Sequence, residues 1–122
     1  MKYYICEHCG NIIEYVKESG VPVMCCGQKM TEIVPGTSDG AYEKHLPVVI
    51  VDGDKVTVEV GEVEHPMVEA HYIQWIAIET TRGSQKVKLE YTDKPRAEFK
   101  LADGEEFVAA YEYCNLHGLW KK

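Results

Sequence analysis

The sequence predicts an all-β chain in which a small N-terminal unit precedes an antiparallel β-sandwich. Residues 55–60 alternate strictly between polar and apolar, with Val56, Val58 and Val60 on one face, as in a half-buried strand. The Asp-Gly-Asp segment at 52–54, directly before them, is a hairpin turn signal. Further short apolar segments follow along the chain at similar spacing. This spacing is typical of an antiparallel sandwich or barrel.

The strands of the sandwich are predicted from apolar and β-branched runs that are separated by turns. The run at 46–51 opens the series, and polar, glycine-containing segments at 82–84 and 102–104 separate later strands. No segment has the periodicity of an amphipathic helix longer than about two turns. The predicted strands are 46–51, 55–60, 72–80, 87–91, 97–101 and 107–113.

The N-terminal residues form a separate unit in this interpretation. Gly10, Gly20 and Gly27 mark turns there, and Pro22 disfavours a helix. A segment of this size cannot bury enough apolar surface to fold alone, so it needs a metal ion or a partner. The polar, turn-rich segment 35–40 is the predicted linker. The predicted domains are therefore 1–34 and 35–122.

Composition limits the classes of function. The chain has 122 residues, 45% of them hydrophobic, and a net charge of −7. The apolar content supports a core, while the acidic balance disfavours nucleic-acid binding. No apolar run approaches the ~20 residues that span a bilayer, and the first residues do not resemble a secretory signal. We therefore expect a cytoplasmic protein with neither nucleic-acid nor membrane partners. In a reducing compartment, clustered cysteines indicate metal binding, and two disulfides in a secreted protein are the alternative.

Four cysteines in the N-terminal unit form the first candidate metal site: Cys6, Cys9, Cys25 and Cys26. The two-residue gap in the first pair lets one tight loop present both sulfurs. The second pair is adjacent, and neighbouring residues on a strand point to opposite faces, so binding through both requires a local twist. Four thiolates suit either zinc or a single iron, and zinc could serve as a structural staple. His8, between two of the cysteines, is interpreted as a solvent-facing spacer.

The remaining cysteine and four of the five histidines form the second candidate site: His45, His65, His71, Cys114 and His117. They lie at predicted strand ends and loops, where a sandwich carries its functional residues. Structural zinc stops at four ligands, whereas five suit a square pyramid with sulfur at the apex and one open position opposite it. A thiolate in that place would tune the potential of the metal. The alternative is a set of polar loop residues with the cysteine as a small buried hydrophobe.

The motifs occur in an order that resembles the desulfoferrodoxin family of two-iron superoxide reductases. The resemblance extends over nearly the whole chain, with a first part similar to desulforedoxin and a remainder similar to the one-iron neelaredoxins. It rests on Cys-x-x-Cys and Cys-Cys-Gly in the N-terminal unit, Glu-Lys-His-Leu-Pro at 43–47, His-Pro-Met at 65–67, His-Tyr-Ile-Gln-Trp at 71–75 and Cys-Asn-Leu-His-Gly at 114–118.

The resemblance implies a desulforedoxin-like domain followed by an immunoglobulin-like sandwich, with two mononuclear irons as cofactors. The cysteines of the first site would hold an Fe(Cys)4 centre, and the second site a catalytic Fe(His)4Cys centre. The implied activity is the one-electron reduction of superoxide to hydrogen peroxide at the ferrous second centre, with the first centre as a candidate electron relay. A rubredoxin-like electron donor and a homodimeric assembly are also implied.

Two further residues acquire a role through the resemblance. Glu43 would close over the sixth position of the oxidised iron, and Lys44 would assist on the substrate side; otherwise they form an ordinary solvated pair. Local positive charge from Lys44 would matter because salt screens the overall charge beyond about 8 Å. The alternative function is a non-catalytic iron electron-transfer protein. A superoxide dismutase and a structural module with two zinc ions are the other rivals.

Overall fold

The structure, a computed structural model, describes residues 1–122 and contains two compact units, Met1–Val34 and Pro35–Lys122. Antiparallel strands make up both units, so the all-β prediction is confirmed. The single helix, α1, covers Tyr42–His45. None of the helical structure has the length and apolar character needed to cross a membrane.

The N-terminal unit consists of five very short strands. One sheet has the order β2-β1-β5, and β3 and β4 form a separate hairpin. Of this unit, only Tyr3, Cys6 and Met30 are buried. Apolar burial on this scale is too small to stabilise a fold by itself. The strands are β1 Tyr3–Ile5, β2 Ile12–Glu14, β3 Met24–Cys25, β4 Gln28–Lys29 and β5 Thr31–Ile33.

The C-terminal unit has seven strands in two antiparallel sheets, ordered β10-β7-β6 and β12-β11-β8-β9. The alternating valines of β7 are buried and share one core with isoleucines of β8, which gives the predicted sandwich. A register shift between Tyr113 and Cys114 places Cys114 opposite Ile73. The strands are β6 Pro47–Asp52, β7 Lys55–Val60, β8 Ile73–Thr80, β9 Gly83–Lys88, β10 Arg96–Lys100, β11 Phe107–Cys114 and β12 Gly118–Lys121.

Two strands of the C-terminal unit differ from the sequence prediction, and one helical turn is added to it. Strand β9 covers Gly83–Lys88 instead of 87–91, because the chain reverses within a tight turn at 81–82 and enters an edge strand whose residues are mostly exposed. Such a strand needs no apolar alternation. Strand β12 is absent from the prediction, since it is short and follows β11 after only three residues. Helix α1 is a single turn, too short to show helical periodicity.

Candidate metal centres

The five residues of the second candidate site converge in the C-terminal unit. Their donor atoms all lie within 4.8 Å of one another. One comes from helix α1, two from the connection between β7 and β8, one from the end of β11 and one from the turn before β12. Residues far apart in sequence therefore meet at one place. They are His45, His65, His71, Cys114 and His117.

Hydrogen bonds to backbone carbonyls fix the orientation of two of these imidazoles. Nδ1 of His45 lies 2.8 Å from the oxygen of Ala41, and Nδ1 of His65 lies 2.7 Å from the oxygen of Pro66. Because a carbonyl oxygen only accepts, each Nδ1 carries the proton and each neutral ring has its lone pair on Nε2. The two Nε2 atoms are 3.1 Å apart. Facing lone pairs at that distance repel, so the arrangement calls for a cation between them.

The other two histidines complete the nitrogen set. Nδ1 of His117 lies 3.1 Å from Nε2 of His45 and 3.8 Å from Sγ of Cys114, so this ring presents the opposite nitrogen from His45. Nε2 of His71 is buried without a hydrogen-bond partner. Metal–nitrogen bonds of about 2.1 Å at right angles place neighbouring nitrogens about 3.0 Å apart. The donor set therefore fits one transition-metal ion, which would also satisfy His71.

Burial controls the protonation of this site. It lowers the pKa of His65 to about 4 and also lowers the pKa values of His45 and His71, so these rings are neutral near pH 7. Neutral imidazole is the form that binds metal. Burial raises the pKa of the Cys114 thiol, against the effect of backbone hydrogen bonds from Leu116 and His117 that lower it. A bound cation would favour the thiolate.

Asn115 and Gly118 hold the turn that carries the last two donors. The Asn115 side chain accepts a hydrogen bond from the Tyr72 backbone N–H at 2.9 Å and donates one to the Ala70 oxygen at 3.0 Å. Gly118, paired with Cys114 across β11 and β12, has a φ of 76°, which favours glycine. The turn is thereby tied to the start of β8. Sequence reasoning did not assign a role to Asn115, although it lies within the Cys-Asn-Leu-His motif.

Glu43 and Lys44 lie on helix α1 directly before His45. Both are exposed, and the carboxylate of Glu43 is not part of the donor group. The backbone at this point is in close contact with the turn after β7: the Glu43 oxygen accepts a hydrogen bond from the Val63 N–H at 2.8 Å. Gly61 lies against the same peptide, with no room for a Cβ. The structure thus packs the backbone of both residues against the turn after β7, directly before His45 in α1.

The four cysteines of the N-terminal unit also converge, with all sulfurs within 4.8 Å of one another. Sγ of Cys9 is 3.6 Å from Sγ of Cys25, which is 4.0 Å from Sγ of Cys26. Metal–sulfur bonds of about 2.3 Å at tetrahedral angles place sulfurs about 3.8 Å apart. Cys26 has a φ of 52° and is the one non-glycine residue with positive φ. This is the local twist that lets adjacent cysteines face one ion.

The thiols of this group cannot all ionise on their own. Backbone hydrogen bonds, that of Cys9 first, lower the pKa of Cys6 to about 6. Hydrogen bonds with the neighbouring thiols, that of Cys9 first, raise the pKa of Cys26 to about 12, and those with Cys6 and Cys9 raise the pKa of Cys25. Ionisation of one thiol in this group therefore disfavours ionisation of its neighbours. A metal cation supplies the charge that four thiolates need. His8 is exposed, as expected for a spacer.

Comparison with known proteins agrees with both sites. The sequence profile of the Desulfoferrodoxin family matches residues 37–122. The chain belongs to the desulfoferrodoxin family. A desulfoferrodoxin of Nitratidesulfovibrio vulgaris is 47% identical over 97% of this chain and 92% of the relative. A desulfoferrodoxin homolog of Archaeoglobus fulgidus is 43% identical over 99% of this chain and 95% of the relative.

A solved structure also matches nearly the whole chain. The crystal structure of the superoxide reductase from Treponema pallidum superposes with a TM-score of 0.82 at 36% identity and covers 98% of both chains. In this desulfoferrodoxin, the four-cysteine group and the group of four histidines and one cysteine are candidate iron sites. They correspond to the two mononuclear irons that the sequence resemblance implies.

Proposed function

We propose that this desulfoferrodoxin is a superoxide reductase, an oxidoreductase that converts superoxide to hydrogen peroxide. The observation that carries the proposal is the convergence of four imidazoles and one thiol within 4.8 Å, in a chain that matches a superoxide reductase over 98% of its length. A set of five donors exceeds the four of a structural zinc site. Bound iron supplies the one-electron chemistry, and superoxide takes up one electron and two protons to give hydrogen peroxide.

Each donor group is assigned to one centre and one domain. Residues 1–34 form a desulforedoxin-like domain and residues 35–122 the catalytic sandwich, in agreement with the two compact units. The ligands of the Fe(Cys)4 centre are Cys6, Cys9, Cys25 and Cys26. The ligands of the Fe(His)4Cys centre are His45, His65, His71, Cys114 and His117.

The residues of helix α1 prepare the site for a small anion. The chain carries a net charge of −7, which opposes the approach of superoxide. Salt screens this charge beyond about 8 Å, so the local potential decides the rate of capture. Lys44, exposed and adjacent to His45 in the chain, is assigned the role of supplying positive charge close to the site. Glu43 is assigned the role of approaching the oxidised centre with its carboxylate.

Exposure differs among the four donor histidines. His45 and His65 are only 2% exposed, whereas His71 and His117 are half-buried. The rings of His71 and His117 therefore lie nearer to the protein surface, although Nε2 of His71 is itself buried. The buried pair would anchor the metal within the sandwich, while a small ligand could enter from the exposed side.

Reduction consumes electrons, so a donor is required. We assign this role to a rubredoxin-like protein, with the Fe(Cys)4 centre as a relay.

We further propose a cytoplasmic homodimer. Large apolar side chains such as Val16, Val21 and Met24 are exposed in the N-terminal unit, and a second copy would remove some of them from water. Sedimentation of the iron-loaded protein tests the dimer, since a mass of one chain contradicts it.

Product stoichiometry tests the proposed function. The iron-loaded protein is mixed with superoxide in the presence of a reductant, and peroxide, oxygen and consumed reductant are measured. Superoxide reduction gives one peroxide and consumes one donor electron for each superoxide, without oxygen release. Dismutation would release oxygen without consuming donor. If superoxide disappears only as fast as in a buffer blank, the protein is an electron carrier instead. A colourless protein with stoichiometric zinc would indicate a structural module.

A further inference from the structure

We infer that Trp120 is a positioning residue of the second metal centre, because it contacts two of its histidines that come from opposite ends of the sandwich unit. Trp120 lies on β12 and is 1% exposed. Its ring packs on the ring of His45, with centroids 5.0 Å apart and planes inclined by 25°. Its Nε1–H donates a hydrogen bond of 3.0 Å to the backbone oxygen of His117. This inference rests on the proposed metal centre.

The two contacts restrict different degrees of freedom. The Nδ1 hydrogen bond to Ala41 fixes one edge of the His45 ring, but the ring can still tilt about that bond. The indole face limits this tilt and so directs Nε2. At His117, the indole N–H holds the backbone carbonyl, which Ser38 Oγ also contacts. The indole therefore fixes the distance between a ring on α1 and a turn after β11, 72 residues later in the chain.

The surroundings leave the indole little freedom to move. Tyr42 packs edge-on against it, with centroids 5.2 Å apart. On another side, the backbone of Gly40 comes so close that a Cβ there would lie 3.1 Å from Cζ2 of Trp120. The same Cβ would lie 3.2 Å from Cε1 of His45 and 3.2 Å from Cβ of His117. Gly40, Trp120 and the two histidines are thus one contact set beside the metal site.

A phenylalanine at position 120 separates the two contacts, since it keeps an aromatic face but cannot donate the hydrogen bond. Loss of residues that orient metal ligands typically weakens metal affinity by about 10- to 100-fold. We expect Trp120→Phe to weaken binding of Fe(II) at the second centre by this factor. The electron paramagnetic resonance spectrum of the oxidised second centre should also change, because the angles between its ligands change. A residue that only filled the core would leave this spectrum unchanged.

The full iron-loaded chain is equilibrated anaerobically with a ferrous chelator, and released iron is measured against chelator concentration. The visible thiolate absorption of the four-cysteine centre reports on that site separately, and it should not differ between variants. Trp75→Phe is the matched control: it is the same substitution at the other tryptophan of the chain, whose ring stacks on Tyr113 and not on a proposed ligand. This control should retain iron within about twofold of the wild type, well short of the loss for an orienting residue.

Gly40→Ala probes the same contact set without altering the indole, and it keeps the inference testable should Trp120→Phe fail to fold. Its methyl group must push Trp120, His45 or His117 aside, so weaker iron retention is expected there too. The inference would be overturned if a folded Trp120→Phe variant bound Fe(II) with wild-type affinity and gave an unchanged spectrum. If Trp120→Phe does not fold, the same result in Gly40→Ala would overturn it. A wild-type chain that binds no iron at the second site would instead refute the proposed function.

Discussion

Replacing Gly61 with alanine should displace the segment that carries Glu43, Lys44 and His45. An added Cβ would lie 2.7 Å from the Glu43 oxygen and 2.8 Å from the Lys44 carbonyl carbon, where ordinary contact begins at 3.4 Å. Both neighbours are backbone atoms, so no side-chain rotation relieves the overlap. The peptide after Glu43 must therefore shift by about 0.7 Å, against the hydrogen bond that the Val63 N–H donates to it.

A shift of this size acts on function more than on folding. Displacing a catalytic group by about 1 Å can reduce a rate by about 100-fold, whereas overpacking costs about 1–3 kcal/mol of stability. We expect Gly61→Ala to remain folded and to lose superoxide reduction by about 10- to 100-fold. The assay is superoxide decay after pulsed generation, with iron content and the thermal midpoint measured on the same sample.

The control is Gly53→Ala in the turn between β6 and β7. A Cβ at Gly53 meets nothing within 4 Å, but its φ of 59° strains an alanine. The substitution should therefore lower stability by about 1 kcal/mol and leave the rate unchanged. A folded Gly61→Ala that reduces superoxide as fast as the wild type would show that this contact does not position α1.

Three further perturbations test other parts of the site. Lys44→Ala should slow superoxide capture by up to about tenfold and weaken its dependence on ionic strength. The control is Lys100→Ala on β10, which pairs with Lys55 at the start of β7; equal rates and salt slopes in both variants would refute steering. Cys114→Ser should abolish superoxide reduction and keep the visible spectrum of the four-cysteine centre. Cys9→Ser, as control, should alter that spectrum. An active Cys114→Ser protein would exclude the thiolate ligand. Glu112 is fully buried, neither carboxyl oxygen has a hydrogen-bond partner, and burial raises its pKa to about 9. Its folded state keeps the proton that the unfolded chain loses near pH 4.5. Its contribution to the free energy of unfolding should therefore fall by about 1.4 kcal/mol per pH unit from about pH 5 to 8. Urea unfolding at several pH values should show a smaller loss of stability with pH in Glu112→Gln than in the wild type. The same dependence on pH in both proteins would refute the role of Glu112.

Much of the sandwich could be predicted because alternation is a local property of the chain. The valines of β7 show their buried face within six residues, and the predicted boundaries of β6, β10 and β11 agree with the structure to within one residue. Strand β9 was misplaced because one side of an edge strand can be polar throughout. Strand β12 is absent from the prediction because only its pairing with β11 distinguishes it from an irregular C-terminal segment.

The sequence by itself determined which residues could bind metal, and it divided nine cysteines and histidines into two groups. These candidate ligands follow from residue type and motif order, so they could be predicted without coordinates of any atom. Only the tertiary structure decided which nitrogen each imidazole presents. That choice depends on backbone carbonyls such as those of Ala41 and Pro66, which fix ring orientation through single hydrogen bonds.

The tertiary structure also decided which non-ligand residues support the site. Trp120 and Gly61 carry no metal-binding chemistry, and nothing in their local sequence distinguishes them from ordinary core and turn residues. Their importance arises from close contacts with segments far away in the chain, at His45 and at the peptide after Glu43. Contacts of this kind depend on how strands and turns pack in three dimensions, and no local periodicity encodes them.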